Sequence, residues 1–226
     1  MSRLKPWVAD ALPVAERRMH VAADQFLGGG SYGQAFLTNK GTVLKLTVDK
    51  SEAAAVKLVN ALRAKGSKLR GLVHFPGNPV KLGNAKDGAF GIFTAWAIAK
   101  RPVRELSDSE LDRFTEVPRT SLPMFRSTRP VSGVKGRSTD TVWHHATEAA
   151  LAWRKARTAP MKRALFREYV GWLELARRAP TTRHIADTLL SLAKEGHLIV
   201  DAIPHNFGRT PSGELVAFDF GVVPFE

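Results

Sequence analysis

Three oxygen-bearing side chains near the C-terminal end carry the strongest chemical signal in the sequence. Asp201 and Asn206 lie in Asp201-Ala202-Ile203-Pro204-His205-Asn206, and Asp219 opens Asp219-Phe220-Gly221. Asn206 and Asp219 offer hard oxygen ligands of the kind Mg2+ takes while it keeps several waters and bridges phosphate groups. Asp201 can orient an attacking hydroxyl and accept its proton. Singly, each has a plain explanation as a turn or capping residue; together, at this spacing, they do not. Thirteen positions separate Asn206 from Asp219. Two short strands, Phe207–Arg209 and Leu215–Phe218, joined by a Pro211-Ser212-Gly213 turn, would fold Asp219 back beside Asn206.

A second cluster sits far upstream, in Leu27-Gly28-Gly29-Gly30-Ser31-Tyr32-Gly33. The spacing Gly28-x-Gly30-x-x-Gly33 also marks dinucleotide-binding folds, but those require a helix straight after the glycines. Here a strand, a turn and another strand follow, and Gly33 is succeeded by Gln34-Ala35 rather than the Lys-Ser/Thr of a Walker loop. Two readings stand: a surface turn rich in glycine, or a hairpin whose backbone lies close to phosphates without side-chain clash. Strand alternation over Val43-Leu44-Lys45-Leu46 puts Val43, Lys45 and Thr47 on one face. Lys45 is then either a solvated lysine on an outer face or, if that face lines a nucleotide cleft, a ligand for phosphate oxygens, with Val43 packed on a base. Glu52 is either the hold on that ammonium or a carboxylate favoured by a helix N-terminus.

The elements that must position these residues follow from periodicity. A short helix is expected within 5–25, then strands through Ala35 and over Thr42–Val48 with a turn at Asn39-Lys40-Gly41. Ser51 is the expected N-cap of a helix over Glu52–Ala64 that stops near Gly66. Strands are expected at Val80–Leu82 and Ala89–Ala97, separated by Asn84–Gly88. After Lys100 a short helix over Leu106–Phe114 gives way to a Pro, Ser, Thr and Arg-rich stretch, 117–139, which offers little to bury and reads as a loop. It holds Arg119, Arg126, Arg129 and Arg137, and reads equally as a docking or autophosphorylation segment or a plain insertion. Helices are expected at about 140–158, 160–178 and 181–195, with Trp143, Trp153, Trp172, Leu151, Leu165 and Val170 as their core. Adjacent His144 and His145 point different ways on a helix, so no shared metal is expected there.

In order and in spacing, Gly28-x-Gly30-x-x-Gly33, Lys45, Asp201-x-x-x-x-Asn206 and Asp219-Phe220-Gly221 resemble the motifs of protein-kinase-like enzymes. That resemblance spans residues 25–221. It implies an α+β, bilobal fold: a small β-rich N-lobe over 1–99 and a reduced, mainly helical C-lobe over 100–226. It implies that Gly28, Gly30, Ser31, Tyr32 and Gly33 cover the phosphates of ATP beside Val43, and that Lys45 holds the α- and β-phosphates. Glu52 is its partner, Asp201 the catalytic base, and Asn206 and Asp219 the Mg2+ ligands. Phe93–Ala97 should lie near the segment that contacts adenine. The departures are Ile199-Val200 in place of the usual His-Arg before the catalytic Asp, and Ile203 in place of a Lys. Only Val222 to Glu226 follow the DFG, so no activation segment is expected. This layout looks like that of small bacteriophage-encoded Ser/Thr kinases acting on proteins of the infected host, in its cytoplasm. The alternatives are a small-molecule phosphotransferase of the aminoglycoside type, or a pseudokinase that binds a protein or nucleic acid.

Composition constrains the partners. The 226 residues carry 34 Lys and Arg against 21 Asp and Glu, a net charge of +13, which attracts polyanions and favours acidic or nucleic-acid-associated protein substrates. There is no cysteine, which excludes disulfides and thiolate metal sites. No apolar run approaches the roughly 20 residues that cross a bilayer, so no membrane partner is expected.

Overall fold

The computed structural model describes residues 4–87, 91–107, 109–111 and 142–224. The expected loop at 117–139 lies outside the described residues, as do 112–114 of the expected short helix, of which 109–111 are helical. The chain is α+β: a β-sheet with two helices first, and a mainly helical part after it.

Helix α1 (Pro6–Met19) starts on a proline, whose missing N–H costs nothing in a first turn. It precedes β1 (Ala23–Gly29), β2 (Gly33–Thr38) and β3 (Val43–Thr47), then α2 (Lys50–Ala64), β4 (Val80–Asp87) and β5 (Gly91–Lys100). The five strands form one antiparallel sheet in the order β1-β2-β3-β5-β4. Its period-two pattern decides what each face meets. Leu44 and Leu46 are buried with Phe36, Ala95 and Ala97 beneath Trp7, Val8 and Ala11 of α1. Lys45, opposite Ala35 on β2 and Ile98 on β5, faces the other way.

Two local expectations change. The N-cap of α2 is Asp49, not Ser51: its carboxylate accepts from the Ser51 backbone N–H at 2.7 Å, so the helix begins two residues earlier than Glu52. Residues 84–87 continue β4 instead of turning, because pairing with β5 outweighs their poor strand propensity. A bulge between Lys81 and Gly83 absorbs the misfit, with Gly83 at φ 125°.

After β6 (Arg104–Glu105) come helices α3 (Val142–Lys155), α4 (Ala159–Ala176) and α5 (Arg183–Lys194). Then β7 (His197–Val200), a 3₁₀ turn at Pro204–Asn206, β8 (Phe207–Arg209), β9 (Leu215–Ala217) and β10 (Gly221–Pro224) complete the described chain. Strand β6 pairs with β8, and β7 with β10; both partnerships are too short to leave a periodic signal. Trp143 and Trp153 are buried as expected, whereas Leu151 is exposed, on the outer side of α3. The larger core joins α2, through Ala55, Val56 and Val59, to Ile185, Leu198, Phe207 and Phe220. Helix α2 is therefore packed on the C-terminal elements as well as under the sheet. Among the described residues no helix is long and apolar enough to cross a membrane.

The register of β7 decides where the C-terminal motif residues stand. Gly221 lies opposite Val200, which places Asp201 and Asp219 at the same end of the pair. Buried Tyr169 of α4 braces that strand: its hydroxyl donates to the Ile199 carbonyl and accepts from the Ile199 N–H, both at 3.2 Å. Burial, only partly offset by that backbone contact, raises the phenol pKa well above its ordinary value, so the hydroxyl keeps its proton. Tyr169→Phe leaves both backbone groups of Ile199 buried without this partner, and should cost about 1–3 kcal/mol of stability, measured by urea unfolding.

Candidate active site

A cavity of about 460 Å3 opens between the glycine hairpin and the β7–β8 segment. Gly28, Gly30, Ser31, Tyr32, Gly33, Val43, Lys45, Glu52, Asp201, Asn206 and Asp219 all line it. The sequence motifs, separated by up to 191 positions (219 − 28), are brought to one place.

At the inner end, the Lys45 ammonium lies 2.6 Å from both carboxylate oxygens of Asp219 and 2.9 Å from Glu52 Oε1. Lys45 comes from β3, Glu52 from the first turn of α2 and Asp219 from the β9–β10 connection, so this cluster ties three elements together. Burial works against the charge on Lys45, but Glu52 and Asp219 outweigh it and raise its pKa. Burial dominates at Glu52 and pushes it up to about 7 in spite of Lys45. Asp219, whose side chain keeps 34% of its surface exposed, is held below its ordinary value: Lys45 and Lys100 overcome its desolvation. Ordinary carboxylate chemistry at Asp219 is thus preserved at neutral pH.

The glycines divide by role. A Cβ on Gly33 would run into the Leu46 carbonyl of β3, so that position is closed by the sheet itself. At Gly28 and Gly30 a Cβ would meet no protein atom within 4 Å; the space beneath the hairpin tip is left open. Lys5, preceding α1, donates from its ammonium to the Gly30 and Ser31 carbonyls at 2.8 and 2.6 Å, holding the tip from the N-terminal side.

On the opposite wall, Asp201 adopts φ 61°, the left-handed region, where Asp is tolerated better than most residues. Asn206 Nδ2 donates to the Asp201 carbonyl at 2.7 Å and closes this turn, and the Phe218 N–H donates to the Asn206 carbonyl at 2.9 Å. These two bonds set Asp201, Asn206 and Asp219 side by side. The Asp201 carboxylate is raised in pKa by partial burial, then by Asp49 and Asp219, against the pull of Lys45. Gly221 is required for the approach of α2: a Cβ there would collide with the Ser51 side chain.

Phe93–Ala97 do not line the cavity. Ala95 and Ala97 are buried in the core under α1, and Phe93 packs edge-on to Trp7 at 5.6 Å. Strand β5 continues to Lys100, so the wall is made instead by Lys100, Arg101, Val103 and Glu105. Four contributors are not found by spacing and type in the way the motif residues are. Lys5 and His205 leave no signal in spacing. Asp49 is legible only as a cap residue. Lys100 falls two places beyond Ile98 in the alternation of β5, and extending that count finds it.

No protein-family description matches the chain, and no curated protein matches it in sequence. Among solved structures it is similar to the kinase domain of PknI from Mycobacterium tuberculosis, at 13% identity and a TM-score of 0.31, over 90% of this chain and 60% of that one. It is also similar to an aminoglycoside phosphotransferase from Alicyclobacillus acidocaldarius, at 15% identity and a TM-score of 0.36, over 99% of this chain and 69% of that one. A third is the ADP-bound aminoglycoside phosphotransferase APH(2'')-Ib, at 12% identity and a TM-score of 0.37, over 96% of this chain and 72% of that one. The chain thus spans about 60% of the length of the PknI domain. Likeness at this level carries no argument about this chain, whose chemistry has to be read from its own side chains.

The charge cluster and the hairpin tip can each be tested. The folded pKa of Glu52, about 7, lies above its unfolded value near 4.5, so the folded state binds more protons in between and loses stability as pH rises through that window. Thermal unfolding from pH 5 to 8 should show wild type falling relative to Glu52→Gln. Lys5→Met removes two exposed bonds to the hairpin tip, together worth about 1.4 kcal/mol, and should speed amide exchange at 28–33 by about tenfold.

Proposed function

We propose that this chain is a phosphotransferase that moves the terminal phosphoryl group of a nucleoside triphosphate, with Mg2+, to a Ser or Thr hydroxyl of a protein. The observation that carries the proposal is the buried Lys45–Glu52–Asp219 cluster at the inner end of a glycine-roofed cavity with Asp201 at its mouth.

Each role follows from position. The hairpin tip at Gly28 and Gly30 carries no side chain and leaves room for phosphates to lie close to the backbone. Lys45, pinned by Glu52 and bonded to both Asp219 oxygens, brings a buried positive charge to the phosphate oxygens. Val43, opposite Lys100 on β5, packs on the base. Asn206 and Asp219 fit Mg2+: with Nδ2 committed to Asp201, the Asn206 amide oxygen is left as an acceptor beside a carboxylate held ionised, a two-oxygen set of the kind Mg2+ takes alongside water and phosphate. When bound there, Mg2+ neutralises charge on the phosphate oxygens.

Transfer forms a bond from the acceptor oxygen to the terminal phosphorus and breaks the bond from that phosphorus to the bridging oxygen, releasing the nucleoside diphosphate. Asp201 orients the acceptor and takes its proton, a task suited by its raised pKa. Asp201 is exposed at the cavity mouth, where an extended chain can present a hydroxyl, which favours a protein acceptor over an enclosed small molecule. The +13 charge favours an acidic or nucleic-acid-associated acceptor. ATP is the donor implied by the kinase-like motifs.

The test is transfer from γ-labelled nucleotide with Mg2+ to proteins of a bacterial lysate. Discrete labelled bands carrying phosphoserine or phosphothreonine are expected from wild type. Asp201→Asn should lower the rate by about 10²–10⁴-fold, and Asp219→Asn should abolish Mg2+-dependent transfer. Nucleotide binding without transfer to any acceptor would leave a binding protein; transfer to an aminoglycoside but to no protein would reassign the acceptor.

A further inference from the structure

Lys100 is a buried, cavity-lining cation that touches no phosphate-site carboxylate; its part in the proposed transfer is confined to the field that helps keep Asp219 ionised. Its residue is 5% exposed. Its ammonium donates to the Phe218 carbonyl at 3.2 Å and sits 5.0 Å from the centre of the Phe218 ring. A buried lysine engaged by one carbonyl and one ring face has donor capacity left for a group that enters the cavity. The groups that face it from packed elements are Lys45 of β3, Glu52 of α2, Asp219 before β10 and Glu105 of β6; burial, then Lys45, holds its pKa below the ordinary value.

Its place is fixed by register. Lys100 lies directly opposite Val43, and Val43 opposite Leu37 on β2, so the lysine stands at the wall of the slot roofed by Val43 and Ala35. Phe218 lies across that slot, and Arg101 and Val103 continue the wall. The inner end of the cavity belongs to Lys45, so phosphates are drawn to that residue, and the edge of a planar base seated against Val43 meets the Lys100 ammonium. Purine edges differ at this point. A 6-oxopurine presents two acceptors, N7 and O6, whereas adenine presents one acceptor, N7, beside an amino donor. An ammonium matched to the first pair is opposed by the donor of the second.

We propose that Lys100 makes this site selective for 6-oxopurine nucleotides, guanosine or inosine triphosphate, over ATP. The inference rests on the nucleotide-site reading and replaces its expected donor. An ammonium paired with N7 and O6 discriminates against the wrong base by about tenfold or more.

The experiment uses the full chain with Mg2+ and a ribose-labelled fluorescent GDP, displaced by GTP, ITP or ATP. GTP and ITP should displace it at concentrations about tenfold or more below ATP. Similar potency of ITP and GTP assigns the selectivity to O6 rather than the 2-amino group. Lys100→Met, of matching length and without charge, should erase the difference while the protein still melts cooperatively. The wild-type displacement series stands on its own should that variant fail to fold. ATP equal to or better than GTP in wild type would overturn the proposal and leave the phosphotransferase reading intact. A selectivity unchanged in Lys100→Met would also overturn it. Failure of the labelled GDP and of all three triphosphates to bind would bring down both.

Discussion

Everything in the site hangs on how one buried ammonium is compensated. Lys45 carries a positive charge into the interior, where an unpaired ion costs several kcal/mol after relaxation, and it is accepted there because Glu52 and Asp219 lie at 2.9 and 2.6 Å. Asp219 is 174 positions from Lys45 in the chain. The cluster forms only when β3, α2 and the β9–β10 connection are all in place, so its contacts report on whether the fold is assembled. The two carboxylates are not equivalent. Glu52 is more enclosed and shifts towards neutrality, whereas Asp219 keeps its charge and some exposure, so Asp219 carries the larger share of the compensation.

The remaining architecture can be understood as support for that cluster. Helix α2 starts at Asp49, which caps it and also faces the cavity, and Gly221 lets Ser51 come close to β10. Its inner side belongs to the same core as Phe207 and Phe220, so movement of α2 would disturb the Asp201–Asn206 turn as well as the sheet. Tyr169 hydrogen-bonds both backbone groups of Ile199 on β7, two residues before Asp201. Asp201 in turn sits in the left-handed region at a cost of order 1–3 kcal/mol, maintained by the Asn206 amide on its own carbonyl. Among the described residues the other non-glycine in this region is His20, at the C-cap of α1.

Lys100 shows how the same wall can carry a second property. Its ammonium is held at the Phe218 carbonyl rather than on a carboxylate, and its burial beside that ring makes its charge useful to a group with acceptors on its edge. On the reading proposed above, the phosphates fall to one residue set and the base to another.

Much of this was legible in the sequence, because chemistry-bearing residues leave signals in type and spacing. The Gly28–Gly33 cluster, Lys45 in an alternating strand, and Asp201, Asn206 and Asp219 at short sequence spacing are the candidates that the fold brings to one cavity. The period-two run over Val43–Thr47 gave the face of Lys45, and helical periodicity placed α3, α4 and α5. Features that depend on neighbours were misjudged or unseen. Asn84 to Asp87 look like a turn in isolation and become strand only because β5 pairs with them; Ser51 looks like a cap until Asp49 bonds its N–H. The end of β5 at Lys100, not Ala97, moved the cavity wall by three residues, and Lys5 reached the hairpin tip from 25 positions away. Local sequence determined which groups were present and which side of each element they occupied. Tertiary structure alone decided which charges were buried together, because desolvation and compensation depend on elements that meet only after the chain has folded.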